Sequence, residues 1–210
     1  NWRALFLVNV PLGIAALTLA YRYLPSASTA VSASHEAPRE GFDVAGTTAS
    51  NRVVFESAAT NLVAGYFAAL TNASNLYGFD MNSSSNTLLT HAQAQPTLGS
   101  ARAAEAQSVQ FDWSGDHLVF ATWAGDLSPS SDGNAVPDVY VYNTPGNSSS
   151  LVSRAAFARA ASADRATTPV GLSANGRYLL QQSHAANLGV DQIESDLDND
   201  ADVFVFDADS

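Results

Sequence analysis

One phrase recurs along the chain and narrows what it can fold into. Residues 114–122 read SGDHLVFAT, and residues 138–143 read DVYVYN. The phrase is a turn, a short apolar strand, a polar loop, then an Asp heading a second apolar strand. It returns as SANGRYLL at 173–180 with DVFVFD at 202–207, and as ASNRVVFES at 49–57 with NLYGFD at 75–80. Aligned on Arg52, His117 and Arg177, the first halves lie 65 and 60 residues apart; aligned on Asn75, Asp138 and Asp202, the second halves lie 63 and 64 apart. A period of that length with about four strands per unit is the mark of a radial or stacked β array, in which each unit buries its faces against its neighbours.

Local chemistry agrees. Gly115-Asp116 and Asn175-Gly176 stand where a tight turn needs left-handed backbone. Val139-Tyr140-Val141-Tyr142 and Val203-Phe204-Val205-Phe206 are continuous apolar runs, which predicts strands covered on both faces. Weaker strands are expected at 87–91, 108–112, 149–154 and 169–172. The fold class expected is therefore mainly β: a partial, about three-bladed propeller-like array over residues 49–210, preceded by a hydrophobic helix at 1–25 and a linker at 26–48.

These residues resemble TolB-like β-propeller repeats. The pattern of that family runs S-x-D-G-R-Y-V-x-F-x-S, then A-x-N-L-V-P-G-D-x-N-G-x-x-D-V-F-V-x-D. The second and third repeats follow it; the first keeps Phe55-Glu56-Ser57 and Ala59-Thr60-Asn61-Leu62-Val63 but lacks the acidic turn between 64 and 74. The resemblance implies a bacterial protein secreted or anchored outside the cytoplasm, and a ring closed by about six blades. Three repeats would make an open arc with uncovered apolar faces, so further blades or self-association are expected.

The first 25 residues differ from the rest. Residues 4–21 carry no charge, and as a helix they would span about 27 Å, near the thickness of a bilayer core. Trp2, Arg3, Tyr21, Arg22 and Tyr23 flank this run as interfacial residues do. Trp2-Arg3, Phe6, Asn9, Pro11 and Gly13, with Leu24-Pro25 and then Gly41-Phe42-Asp43-Val44-Ala45-Gly46, resemble one transmembrane helix of drug:proton antiporters of the major facilitator superfamily and the entry to the next. An anchor through residues 4–21 is one reading; a secretory signal with a small-residue cleavage site at 30–33, and a buried helix of a globular domain, are the others. The second antiporter helix fails at Thr47-Thr48-Ala49-Ser50-Asn51-Arg52. The chain thus also reads as an antiporter fragment joined to unrelated repeats. Because it starts at Asn1, a fragment or processed product is expected.

Composition limits the functions. A net charge of −11 argues against nucleic acid, whose phosphates want a basic face, and permits cations. There is no Cys, hence no disulfide, thiolate metal site or Cys nucleophile. The densest acidic cluster is Asp196, Asp198, Asp200 and Asp202, interleaved with Leu197, Asn199 and Ala201; Asp132, Asn134 and Asp138 occupy the related loop one repeat earlier. Alternate carboxylates in a tight loop can converge on a hard cation, which makes calcium the candidate cofactor, while turn-forming and strand-capping Asp and Asn are the bland alternative. His35, His91, His117 and His184 have no metal-ligand spacing. Gly171-Leu172-Ser173-Ala174-Asn175-Gly176 comes near a G-x-S-x-G nucleophile elbow, but the second Gly is one residue late and the context is a β-turn. Tyr66, Phe67, Trp113 and Trp123 read as packing aromatics or a binding surface. No catalytic residues are assigned. The expectation is a non-enzymatic binding or scaffold module, with the regulatory propeller of a hydrolase as a further alternative.

Overall fold

The computed structural model describes residues 45–46, 51–71, 73–102, 105–130, 132–189 and 200–208, all within the unit Ser34–Ser210. The expected helix at 1–25, and with it the membrane span and most of the antiporter-like segment, lies outside the described residues. Among the described residues no helix is long and apolar enough to cross a membrane.

The described chain is β throughout. Its strands are β1 (Ala45–Gly46), β2 (Arg52–Ser57), β3 (Asn75–Asp80) and β4 (Ser85–Leu88); β5 (Gln107–Phe111), β6 (His117–Thr122), β7 (Asp138–Asn143) and β8 (Ser148–Leu151); β9 (Arg154–Ala155) and β10 (Ala158–Ser162); β11 (Thr167–Leu172), β12 (Tyr178–Ser183) and β13 (Asp202–Asp207). They form sheet 1 in the order β1-β2-β3-β4, sheet 2 as β5-β6-β7-β8, a β9–β10 ribbon, and sheet 3 as β11-β12-β13. Every strand pairing within them is antiparallel.

The repeat is real in the hydrogen-bonded register. Arg52 pairs Asp80, His117 pairs Asn143, and Tyr178 pairs Asp207. The third repeat therefore aligns on Tyr178, one residue after the Arg177 read from the sequence. At the other end Ser57 pairs Asn75, Thr122 pairs Asp138 and Ser183 pairs Asp202, as the spacing of those three residues predicts. The linker boundary shifts too. Ala45 and Gly46, placed in the linker, pair with Val54 and Val53 as an edge strand.

Alternation along β6 and β7 sorts side chains to two cores. Leu118, Phe120, Tyr140, Tyr142 and Leu151 of sheet 2 pack with Val54 and Leu76 of sheet 1. Val119, Ala121 and Val139, on the other side of sheet 2, pack with Leu179, Leu172 and Phe206 of sheet 3. Sheet 2 is thus covered on both faces, and its apolar run 139–142 is buried as expected. The matching run in β13 is not: Val203 and Val205 are 63% and 67% exposed. Continuous apolar character allows burial on both faces; it cannot supply the second neighbour.

The turns between sheets also interlock. The Arg52 guanidinium donates to Gly115 O at 2.7 Å, and the Trp113 N–H donates to Ala174 O at 3.0 Å. Each repeat is tied to the next through main-chain carbonyls that the turns leave unpaired.

Candidate functional site

The loop between β6 and β7 carries the best-formed polar constellation. Asp138 opens β7 and is fully buried. Its Oδ1 accepts from Ser153 Oγ at 2.6 Å, and Ser153 Oγ accepts from the Val139 N–H at 2.9 Å. Repeat 1 holds the same relay in neutral form: Thr90 donates to Asn75 Oδ1 at 3.1 Å and accepts from the Leu76 N–H at 2.9 Å. Asn75 also uses its amide, donating to Tyr66 Oη at 3.1 Å. Asp138 has a second carboxylate oxygen where Asn75 has that amide, and this Oδ2 is buried without a hydrogen-bond partner.

Asp132 and Asn134 come from the same loop. Asp132 Oδ1 accepts the Asn134 N–H at 3.3 Å, Asn134 Oδ1 accepts the Val136 N–H at 3.1 Å, and the Asn134 amide donates to Ala163 O. Ala135, directly after Asn134, has φ +56°, a left-handed turn residue. Burial pushes the Asp138 carboxyl up to about 7; the Ser153 hydrogen bond opposes this, and the neighbouring Asp132 charge adds to it. The Tyr140 hydroxyl, buried on the same strand, also has no hydrogen-bond partner. Its pKa is raised by burial and then by Asp132, Asp138 and Asp126. The structure brings Asp132, Asn134 and Asp138 together in one loop.

Of the later acidic run, Asp200 and Asp202 are among the described residues. Asp196 and Asp198 lie outside the described residues. Asp202 opens β13 opposite Ser183, in the place Asp138 takes in repeat 2, but it is exposed; Asp200 precedes it. Among the described residues no three His, Asp or Glu side chains converge as a metal-binding group.

Sequence reasoning missed Tyr140, Asp126 and Ser153. A signal existed for Ser153: Asn75 and Thr90, like Asp138 and Ser153, are 15 residues apart. Asp126 accepts from Ser100 Oγ at 2.6 Å and from the Ala101 N–H at 2.8 Å. Beside it a cavity of about 310 Å³ is lined by Trp123, Gly125, Asp126, Asp132 and Arg102.

Other residues singled out from the sequence have structural partners. Asp112 is buried at the end of β5 and gathers the turn that follows. Its carboxylate accepts from Ser114 Oγ at 3.0 Å and the Gly115 N–H at 2.7 Å, and lies 2.8 Å from His117 Nδ1. The His91 ring nitrogens lie 3.0 Å from Ala92 O and 3.1 Å from Asn147 O. His184 is exposed, and His35 lies outside the described residues. Ser173 Oγ donates to Asn175 Oδ1 and accepts the Tyr178 N–H, both at 2.8 Å; it clasps a β-turn between β11 and β12. Tyr66 is held by Asn75, whereas Phe67 and Trp113 are 73% and 70% exposed.

No family model matches the chain, and no curated protein matches it. Among solved structures it is similar to one described as TolB from Agrobacterium tumefaciens, at 15% identity and a TM-score of 0.39. The alignment covers 76% of this chain and 42% of that one, so the chain spans less than half the length of that protein.

Proposed function

We propose that the chain is a non-enzymatic binding or scaffold module acting outside the cytoplasm, built as a partial β-propeller of about three blades and supported by calcium. One observation carries the reading: the outer face of sheet 3 leaves Val170, Tyr178, Leu180, Val203 and Val205 between 37% and 67% exposed. The sheet 2 equivalents of Leu180 and Val203, Val119 and Val139, are fully buried and pack against sheet 3. The partner such a face takes is another sheet of the same kind, from a further blade or a second copy. Placement outside the cytoplasm follows from the repeat resemblance.

Light scattering across a wide concentration range tests the face, with an apolar fluorescent dye as second readout. The wild type is expected to self-associate and to bind the dye, and the double variant Leu180→Asp, Val203→Asp to do neither. A wild type that stays monomeric and binds no dye overturns the docking face.

Calcium is proposed for Asp132, Asn134 and Asp138, where one carboxylate oxygen is buried and unpartnered beside a second carboxyl. The run Asp196, Asp198, Asp200 and Asp202 is the second proposed place. A chelator should lower the melting midpoint of the wild type and lower that of Asp138→Asn less, because an amide at this position fits the relay, as Asn75 does, while removing one carboxylate ligand. A wild-type melt indifferent to chelator sinks calcium.

A further inference from the structure

A second constellation lies on the opposite side of sheet 2, where no motif pointed. The β9–β10 ribbon, the inner face of β12 and the start of the segment after it enclose a cavity of about 300 Å³. Arg154, Arg159, Gln181, Leu188, Phe204 and Phe206 are among its lining residues. Three features of this wall bear on what it can hold.

The first is charge. The chain has 9 basic against 20 acidic residues, so two arginines on one wall concentrate positive charge where the chain has little. Arg52 pairs with Asp80 and Arg177 with Asp207. Arg154 and Arg159 make no ion pair among the described residues, yet both line one cavity. The second is placement. The Arg154 guanidinium sits over the Phe206 ring at 5.4 Å from its centroid, which orients a planar, weakly hydrated cation along the wall. The third is Gln181. It is 3% exposed, and its Oε1 is buried with no hydrogen-bond partner. An unmet buried acceptor is destabilising unless a donor reaches it.

We propose that this cavity binds a small organic carboxylate: the anion on Arg154 and Arg159, an N–H or O–H donor on Gln181, and an apolar body against Phe204, Phe206 and Leu188. Guanidinium forks match a carboxylate bidentately, and an apolar pocket with few convergent polar groups is the usual form of a small-ligand site. The two aromatic rings favour an organic body over a bare inorganic anion. This site goes beyond the binding-module reading and does not depend on the outer face of sheet 3.

The test uses the whole chain and two probes, 3-phenyllactate and inorganic phosphate, followed by calorimetry and by amide and guanidinium NMR shifts. Phenyllactate offers a carboxylate, a hydroxyl donor and an apolar ring. It is expected to bind and to move the signals of Arg154, Arg159 and Gln181, with affinity falling at least about tenfold in Arg159→Gln. Arg165→Gln, an exposed arginine that does not line the cavity, should bind as the wild type does. Gln181→Leu should weaken phenyllactate more than 3-phenylpropionate, which lacks the hydroxyl. Three results would each overturn the proposal: no phenyllactate binding, undiminished binding in Arg159→Gln, or phosphate binding as tight as phenyllactate. Loss of self-association in Leu180→Asp, Val203→Asp, neither of which lines the cavity, with phenyllactate binding retained would separate this site from the docking face.

Discussion

At the scale of single residues, two positions show how much one turn can carry. Gly176 has φ +71°, and a Cβ there would lie 2.5 Å from His117 Nδ1 and 2.9 Å from Asp112 Oδ2. Both the backbone conformation and the neighbouring repeat require glycine. Gly176→Ala should destabilise by about 1–3 kcal/mol in urea unfolding; a neutral result would mean the turns do not pack as described. Asp112 is the reciprocal partner. Burial alone would raise its pKa, but hydrogen bonds from His117, Ser114 and the His117 and Gly115 N–H groups outweigh this and hold the carboxyl below its ordinary 3.8. A depressed acid contributes stability above the unfolded value and loses it as pH falls through the folded one. Stability should therefore drop below about pH 3.8, and Asp112→Asn should flatten that limb of the curve while costing about 1–3 kcal/mol at neutral pH. Equal acid limbs in the two proteins would remove Asp112 from the account.

At the scale of elements, the same sequence pattern yields two kinds of strand. Leu118 on β6 is fully buried between sheets 1 and 2, whereas Leu180 on β12 is 37% exposed on an outer face. Leu118→Ala should cost about 2–5 kcal/mol, transfer and cavity terms together, and Leu180→Ala less than about 1 kcal/mol. Comparable losses at both would show that the outer face is covered in solution. The strands and their tight turns were legible because β-branched and aromatic runs alternate with Gly, Asn and Asp. The β9–β10 ribbon was not. Its residues Arg154-Ala155 and Ala158-Arg159-Ala160-Ala161-Ser162 carry no β-branched or aromatic side chain, so only packing beside Val152 and the Ala156 N–H bond to Asn187 O mark it. The small-ligand cavity was hidden with it, because its two arginines sit on that ribbon.

At the scale of the described β repeats, stability should be graded from the middle outward. Sheet 2 has a sheet on each side, while sheet 3 has three strands and one bare face. Native-state amide exchange should be slowest in β6 and β7 and faster in β13, with the difference set by local opening. Equal protection of β13 would indicate a partner on sheet 3. The buried acid follows the same gradient. Asp138 and Asp202 head equivalent strands, and only the one in the middle sheet is withdrawn from water.

By itself the sequence determined the repeat, the turn chemistry and the place of its principal strands. Those properties depend on residues a few positions apart: Gly and Asn at left-handed turns, β-branched and aromatic side chains on pleated backbone. It also brought Asp132, Asn134 and Asp138 into one loop, because they are neighbours in the chain. Only the tertiary structure decided which apolar run became core and which acid became buried. VYVY and VFVF are interchangeable as strands, and Asp138 and Asp202 as caps. What separates them is whether a second sheet excludes water from the other face, and that depends on chain folded in from another repeat.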